Sequence, residues 1–133
     1  MLEREFVVAV LLGAVLAVPY LWLVQRHRRP PVPLAAGLVI AALVYAVLAV
    51  LNGGPSAILL ETAATVGFAT LAVAGVRWGT WLLAAGWLAH VAWDLLLHPV
   101  SHPGYARGWY PALCVGFDIL VAGHALALAG RWR

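Results

Sequence analysis

The sequence predicts an all-α protein, an integral membrane bundle of five transmembrane helices. Of its 133 residues, 65% are hydrophobic and only 10% are charged, an apolar share well above that of soluble domains. The apolar residues fall into five runs, each close to the ~20 residues that a helix needs to cross ~30 Å of hydrocarbon. No polar stretch between them is long enough for a soluble module, so residues 1–133 are predicted to form a single transmembrane domain.

Short polar or turn-forming segments separate the runs. The spans are predicted at about residues 6–24, 34–51, 57–76, 80–97 and 109–129. Residues 52–56 are typical of a turn, and Ser56 is expected to cap the third span. The break at residues 77–79 is tight, so the alternative count is four spans, with two adjacent runs sharing one crossing.

The distribution of arginine predicts the orientation. The sequence has no lysine, and with five spans most arginines fall on one side: Arg26, Arg28, Arg29, Arg77, Arg131 and Arg133. Arg4 and Arg107 fall on the other side. Because cytoplasmic segments are enriched in positive charge, the N-terminus is predicted outside and the C-terminus in the cytoplasm.

Charge and cysteine content narrow the classes of partner. The pI is near 9.6, but the arginines lie at span ends, where they set the orientation of the spans and bind anionic lipid headgroups. The basic charge therefore does not predict a nucleic-acid partner. A cleaved signal peptide begins with a basic segment, whereas this N-terminus carries Glu3 and Glu5 and is net acidic. The first span is therefore expected to be retained. The single Cys114 excludes an intrachain disulfide.

The fourth span carries a polar stripe. His90, Asp94 and His98 recur every fourth residue among Leu, Ala, Val and Trp, so they share one face of a helix. Ionisable groups are costly inside a membrane and are usually retained where they face a partner, a cavity or an ion.

Two further acids fall in the same outer half of the bilayer. Glu61 lies near the start of the third span, and Asp118 shares a face of the fifth span with Tyr110 and Cys114. No Lys or Arg lies in these parts of the spans. Since three ionised acids in a low dielectric would repel and lose solvation, the sequence requires a bound proton, a histidinium or a divalent cation.

A metal site is the leading interpretation. Carboxylate and imidazole ligands from facing helices are how bundles hold ions, and a set without thiolate suits Zn or non-haem Fe. The predicted ligands are His90, Asp94, Asp118 and His98. Glu61 is predicted to be the general base or a fourth ligand. Four residues are predicted to line the pocket: Trp93, Trp109, Tyr110 and Cys114.

Each of these residues also has a simpler interpretation. A single buried acid can serve only to fix helix packing, and His98 before Pro99 also fits a residue that ends a helix. His27 and His102 are expected to be solvated, and His124 is expected to lie apart from the site.

The pattern of Glu61, a His90-x-x-Trp93-Asp94 helix and a Trp-Tyr/Phe-Asp helix around Asp118 resembles an uncharacterised family of small bacterial multi-span membrane proteins. The resemblance covers roughly residues 57–122. It implies a multi-pass fold in a bacterial inner membrane and a candidate site, but no reaction. Pro99 stands where a second histidine would be expected.

Three functions therefore stay open. The first is a metal-dependent membrane enzyme acting on a lipid or another apolar small molecule. The second is a proton- or cation-coupled small transporter, since acid and histidine chains are common in such proteins. The third is an accessory subunit of a membrane complex. Membrane lipid is the expected partner in each, and homo-oligomerisation is compatible with all three.

The orientation can be tested by labelling with an impermeant maleimide. In a Cys114→Ala background, a cysteine introduced at Ser101 should react from outside intact cells, whereas one introduced at Gln25 should not, because the arginine asymmetry places them on opposite sides. Labelling at Gln25 alone would invert the topology.

Overall fold

The computed structural model describes residues 3–98, 105 and 108–131, and it confirms the all-helical fold. Its helices are α1 (Glu3–Arg26), α2 (Pro31–Asn52), α3 (Pro55–Trp78), α4 (Thr80–Leu97) and α5 (Trp109–Ala129). Each has 18–24 residues and is apolar enough to cross a membrane, which favours five spans over four. The protein is therefore a multi-pass membrane protein, while its orientation stays a prediction.

The first three helices extend beyond their predicted spans, because polar and proline residues continue the helix after the apolar run ends. Pro31 and Pro55 each occupy a first helical position, where the missing N–H would have no helical partner in any case. The predicted cap at Ser56 is wrong, because α3 already begins at Pro55 and Gly54 precedes it. Between α3 and α4 only Gly79 intervenes, with a φ of 155° that suits glycine.

The helices pack in the lateral order α1, α5, α4, α3, α2, and α2 also contacts α4. The contact between α1 and α5 is the tightest. A Cβ atom added at Gly13 would lie 1.8 Å from the carbonyl oxygen of Leu113, and one added at Gly116 would lie 1.9 Å from that of Val10. Small residues therefore bring these two backbones together, as is common where no hydrophobic effect drives helices together in lipid.

The bundle interior divides into two halves. The Arg-rich end, where α1 meets α2 and α3 meets α4, contains an apolar core that includes Leu34, Leu38, Leu83, Trp87, Ala125 and Leu128. The opposite half, which we call the site end, contains the polar residues Tyr45, Glu61, His90, Asp94, His98 and Asp118, all buried. Large apolar side chains such as Leu59, Leu96 and Leu126 face outward. The fold thus collects most of the buried ionisable groups in the site end, while His124 of α5 and Thr80 of α4 lie towards the Arg-rich end.

Gly13→Ala should lower the free energy of unfolding by about 1–3 kcal/mol, because its methyl group would push α1 away from the α5 backbone. The matched control is Gly67→Ala in α3, where an added Cβ meets nothing within 4 Å and should be neutral or slightly stabilising. Thermal unfolding in detergent measures both. Equal effects would contradict the α1–α5 packing.

Candidate metal centre

The buried centre of the site end is formed by α4 and α5. His90 and Asp94 lie one turn apart on α4 and Asp118 lies opposite on α5, each at most 1% exposed. His90 Nδ1 lies 2.6 Å from Asp118 Oδ2 and 3.6 Å from Asp94 Oδ2. One ligand atom from each residue lies within 4.8 Å of the others, so this triad could hold a metal ion.

The charges of the triad need a further proton or a cation to balance. If both carboxylates are ionised they carry two negative charges, and a protonated histidine offsets only one of them. The described arginines lie at helix ends, in the connecting segments or in the terminal turns. Asp94 Oδ2 and His90 Nε2 are buried with no hydrogen-bond partner among the described residues. The triad therefore leaves both charge and polar atoms available to a ligand.

Tyr45 of α2 belongs to this centre, although sequence analysis did not assign it. Its hydroxyl donates a hydrogen bond to Asp94 Oδ1 at 2.5 Å, and its ring stacks on His98 with centroids 4.1 Å apart. Tyr45 is the sole polar side chain in residues 34–51, and this isolation in an apolar span could have marked it as a candidate site residue. Nothing in the sequence indicated that α2 would present it to α4.

A second cluster surrounds Glu61 on α3. Its carboxylate accepts hydrogen bonds from Trp93 Nε1 at 3.1 Å, from His98 Nε2 at 2.8 Å and from the Tyr105 hydroxyl. Burial and the bond to Glu61 raise the pKa of the Tyr105 phenol, so Tyr105 remains a donor at neutral pH. Glu61 is thus an acceptor held by three donors.

The two clusters are adjacent but distinct. The structure brings His90, Asp94 and Asp118 together as predicted, whereas Glu61 and His98 contact each other. Tyr45 connects the clusters, since its ring contacts His98 and its hydroxyl contacts Asp94. Polar groups consequently follow one another from Tyr105 down to Asp118.

Three of the four predicted pocket-lining residues lie at the two clusters, and the fourth lies outside them. Trp93 bonds Glu61, Tyr110 contacts the Tyr45 ring edge-on at 5.6 Å, and Cys114 is buried on the Asp118 face. Trp109 is 53% exposed and contacts Tyr110 from outside the centre.

Of the other histidines in the described residues, neither His27 nor His124 contributes to the triad. His27 is exposed, as expected. His124 lies further along α5 with a buried Nε2 that bonds no described residue. The expectation for His102 lies outside the described residues.

No family model, curated protein or solved structure matches the chain. The resemblance over residues 57–122 stays a prediction, and the assignment of function depends on the geometry of these residues.

Tyr45→Phe should cost more stability than Tyr20→Phe, although each removes one phenolic hydroxyl. Tyr45 donates to a buried carboxylate, whereas Tyr20 donates to the Pro33 carbonyl at 2.7 Å. Hydrogen bonds to charged groups contribute about 1.5–3 kcal/mol and neutral ones about 0.5–1.5 kcal/mol. Thermal unfolding of both variants gives the comparison, and a larger loss for Tyr20→Phe would argue against an ionised Asp94.

Proposed function

We propose that the protein is a metal-dependent membrane enzyme that acts on a lipid or another apolar molecule. In this proposal His90, Asp94 and Asp118 hold one divalent ion, Zn or Fe. The observation that carries the proposal is the pair of buried carboxylates facing a single imidazole. A divalent ion with two carboxylates and a neutral histidine gives a net charge of zero, which a buried site favours.

The distances within the triad support this assignment. Ligands 2.0–2.2 Å from a tetrahedral ion lie about 3.3 Å from one another. The contacts of His90 Nδ1, 2.6 Å to Asp118 and 3.6 Å to Asp94, fall on either side of that value. Shifts of less than 1 Å would bring His90 Nδ1 to that separation from each of the two carboxylate oxygens.

Three protein ligands would leave room for a further ligand, as in catalytic rather than structural zinc sites. When bound, the ion would make a coordinated water more acidic and so would supply a nucleophile. Glu61 holds the His98 imidazole against the Tyr45 ring, and Tyr45 in turn orients Asp94. We therefore assign Glu61 and Tyr45 as positioning residues in this proposal.

A proton relay is the second candidate. It is favoured by the hydrogen bonds of Glu61 with His98, of Tyr45 with Asp94 and of His90 with Asp118, because carboxylates and imidazoles at such distances can share protons. Between His98 and Tyr45 the contact is ring stacking. A conduit across the membrane would have to continue past Asp118. The Arg-rich half contains an apolar core there, with Trp87, Leu38 and Ala125 buried. This layer favours a site reached from one side, and His124 is the described ionisable group on α5 that a through-route would have to use beyond it.

Elemental analysis of protein purified without chelator should find about one divalent transition metal per chain. His90→Ala, Asp94→Ala and Asp118→Ala should lose it, because each removes one of three ligands. Occupancy should fall as the pH drops through ~6, since the ligands must be a neutral imidazole and ionised carboxylates.

Two variants serve as controls. His27→Ala removes an exposed imidazole and Leu96→Ala trims a side chain that is 75% exposed, so both should retain the metal. Glu61→Gln should also retain it, because Glu61 bonds three donors outside the triad. A folded, metal-free protein that is indifferent to chelator and to added Zn or Fe would overturn the proposal in favour of the relay.

A further inference from the structure

A cavity at the Arg-rich end of the bundle is lined by two arginines. Arg29 lies in the connection between α1 and α2, Arg77 lies in the last turn of α3, and both side chains are exposed. The volume of the cavity is about 160 Å³, roughly ten times the ~15 Å³ that one water molecule needs. The cavity therefore leaves room for a phosphate group beside two guanidinium groups.

No acidic side chain neutralises these two arginines. The sequence has five acidic residues, and all of them lie away from the cavity, three in the site end and two in the first turn of α1: Glu61, Asp94, Asp118, Glu3 and Glu5. The 24 residues of α1 separate its first turn from the Arg-rich end by about 30 Å. Because a guanidinium group stays charged and matches phosphate with two parallel hydrogen bonds, the cavity favours a phosphate-bearing anion.

An apolar groove adjoins the cavity. It lies between α2 and α3, has a volume of about 270 Å³ and shares Val76 and Arg77 with the cavity. The rest of its wall is aliphatic and consists of Val32, Ala35, Ala36, Val39, Ala72 and Val73. Trp78 lines the cavity and is 73% exposed, which is typical of the membrane–water interface. The arrangement therefore places a basic cavity at headgroup depth and an apolar groove at the depth of acyl chains.

We propose that the cavity binds the phosphate of an anionic phospholipid, with one acyl chain in the groove between α2 and α3. A zwitterionic lipid would bring an ammonium group to an end of the bundle that has no acidic side chain to pair with it. Free phosphate would bind the arginines but would gain nothing from the groove. The site lies at the opposite end of the bundle from the triad, so the inference does not depend on the proposed function.

Native mass spectrometry of the 133-residue chain in detergent tests the choice of headgroup. The probes are phosphatidylglycerol and phosphatidylcholine with the same acyl chains. Phosphatidylglycerol should bind about tenfold more tightly, because it has a net negative charge and no ammonium group. Equal binding of the two lipids would overturn the proposal. Inorganic phosphate at the same concentration should not displace phosphatidylglycerol; displacement would show a site for free phosphate and overturn the choice of a lipid.

The role of the two arginines has a matched control. Arg29→Gln combined with Arg77→Gln should weaken the binding of phosphatidylglycerol about tenfold, because the charge-assisted hydrogen bonds to its phosphate are lost. Arg28→Gln combined with Arg131→Gln removes the same charge from exposed positions outside the cavity, and binding should change less than twofold. Equal losses in the two double variants would show a diffuse effect of charge and would overturn the site.

The role of the groove is tested with a bulky side chain. Ala36→Trp should weaken the binding of phosphatidylglycerol about tenfold, because displacing two methylenes of the acyl chain already costs that much affinity. Ala63→Trp makes the same change at an exposed position of α3 outside the groove and should leave binding unchanged. Undiminished binding in Ala36→Trp would overturn the assignment of the groove.

Thermal unfolding in detergent gives a second measurement. A lipid that binds only the folded state raises its stability by mass action. Phosphatidylglycerol should therefore raise the unfolding temperature of the unmodified protein more than phosphatidylcholine does. This difference should disappear in the variant without Arg29 and Arg77, whose unfolding temperature without lipid shows that it folds. An equal response to the two lipids in the unmodified protein would overturn the proposal.

Discussion

The structure depends on burying carboxylates in a membrane without a lysine or arginine beside them. His90 lies between Asp94 and Asp118, and Tyr45 donates a hydrogen bond to Asp94. Contacts among four side chains from three helices therefore offset the cost of burying the two carboxylates. Removing any one leaves a buried group without its partner, which costs more than the contact contributes. The order in which α2, α4 and α5 pack is thus linked to the chemistry of the centre.

The backbone contact between α1 and α5 fixes the position of α5, and with it the position of Asp118 relative to α4. With Gly13 and Gly116 facing backbone atoms of the opposite helix, α5 is fixed against α1 on one side and presents Asp118 to α4 on the other. The contacts of α2 with α1 and α5 are sparse, and an apolar crevice lies between these helices. Tight packing at one helix pair and loose packing at its neighbours thus place the buried triad beside an apolar crevice.

Much of the fold could be predicted because hydrophobic length and helical period are local properties. The bounds of α4 and α5 agree with the predicted spans, and the four-residue spacing of His90 and Asp94 put them on one face. Which side chains on different helices contact each other is not a local property. That Asp118 pairs with His90 while Glu61 pairs with His98 follows from α4 lying between α5 and α3. Tyr45 was missed for the same reason, since a lone tyrosine in an apolar helix does not indicate its neighbour.

The division of the interior bears on the proposed function as well as the triad does. The same His and Asp residues in a bundle that was polar throughout would suit a conduit for protons. Here the layer containing Leu38, Trp87 and Ala125 lies below Asp118, and an apolar crevice lined in part by Asp118 opens at the side of the bundle, between α1, α2 and α5. This arrangement favours the proposed membrane enzyme, whose apolar substrate would arrive within the membrane.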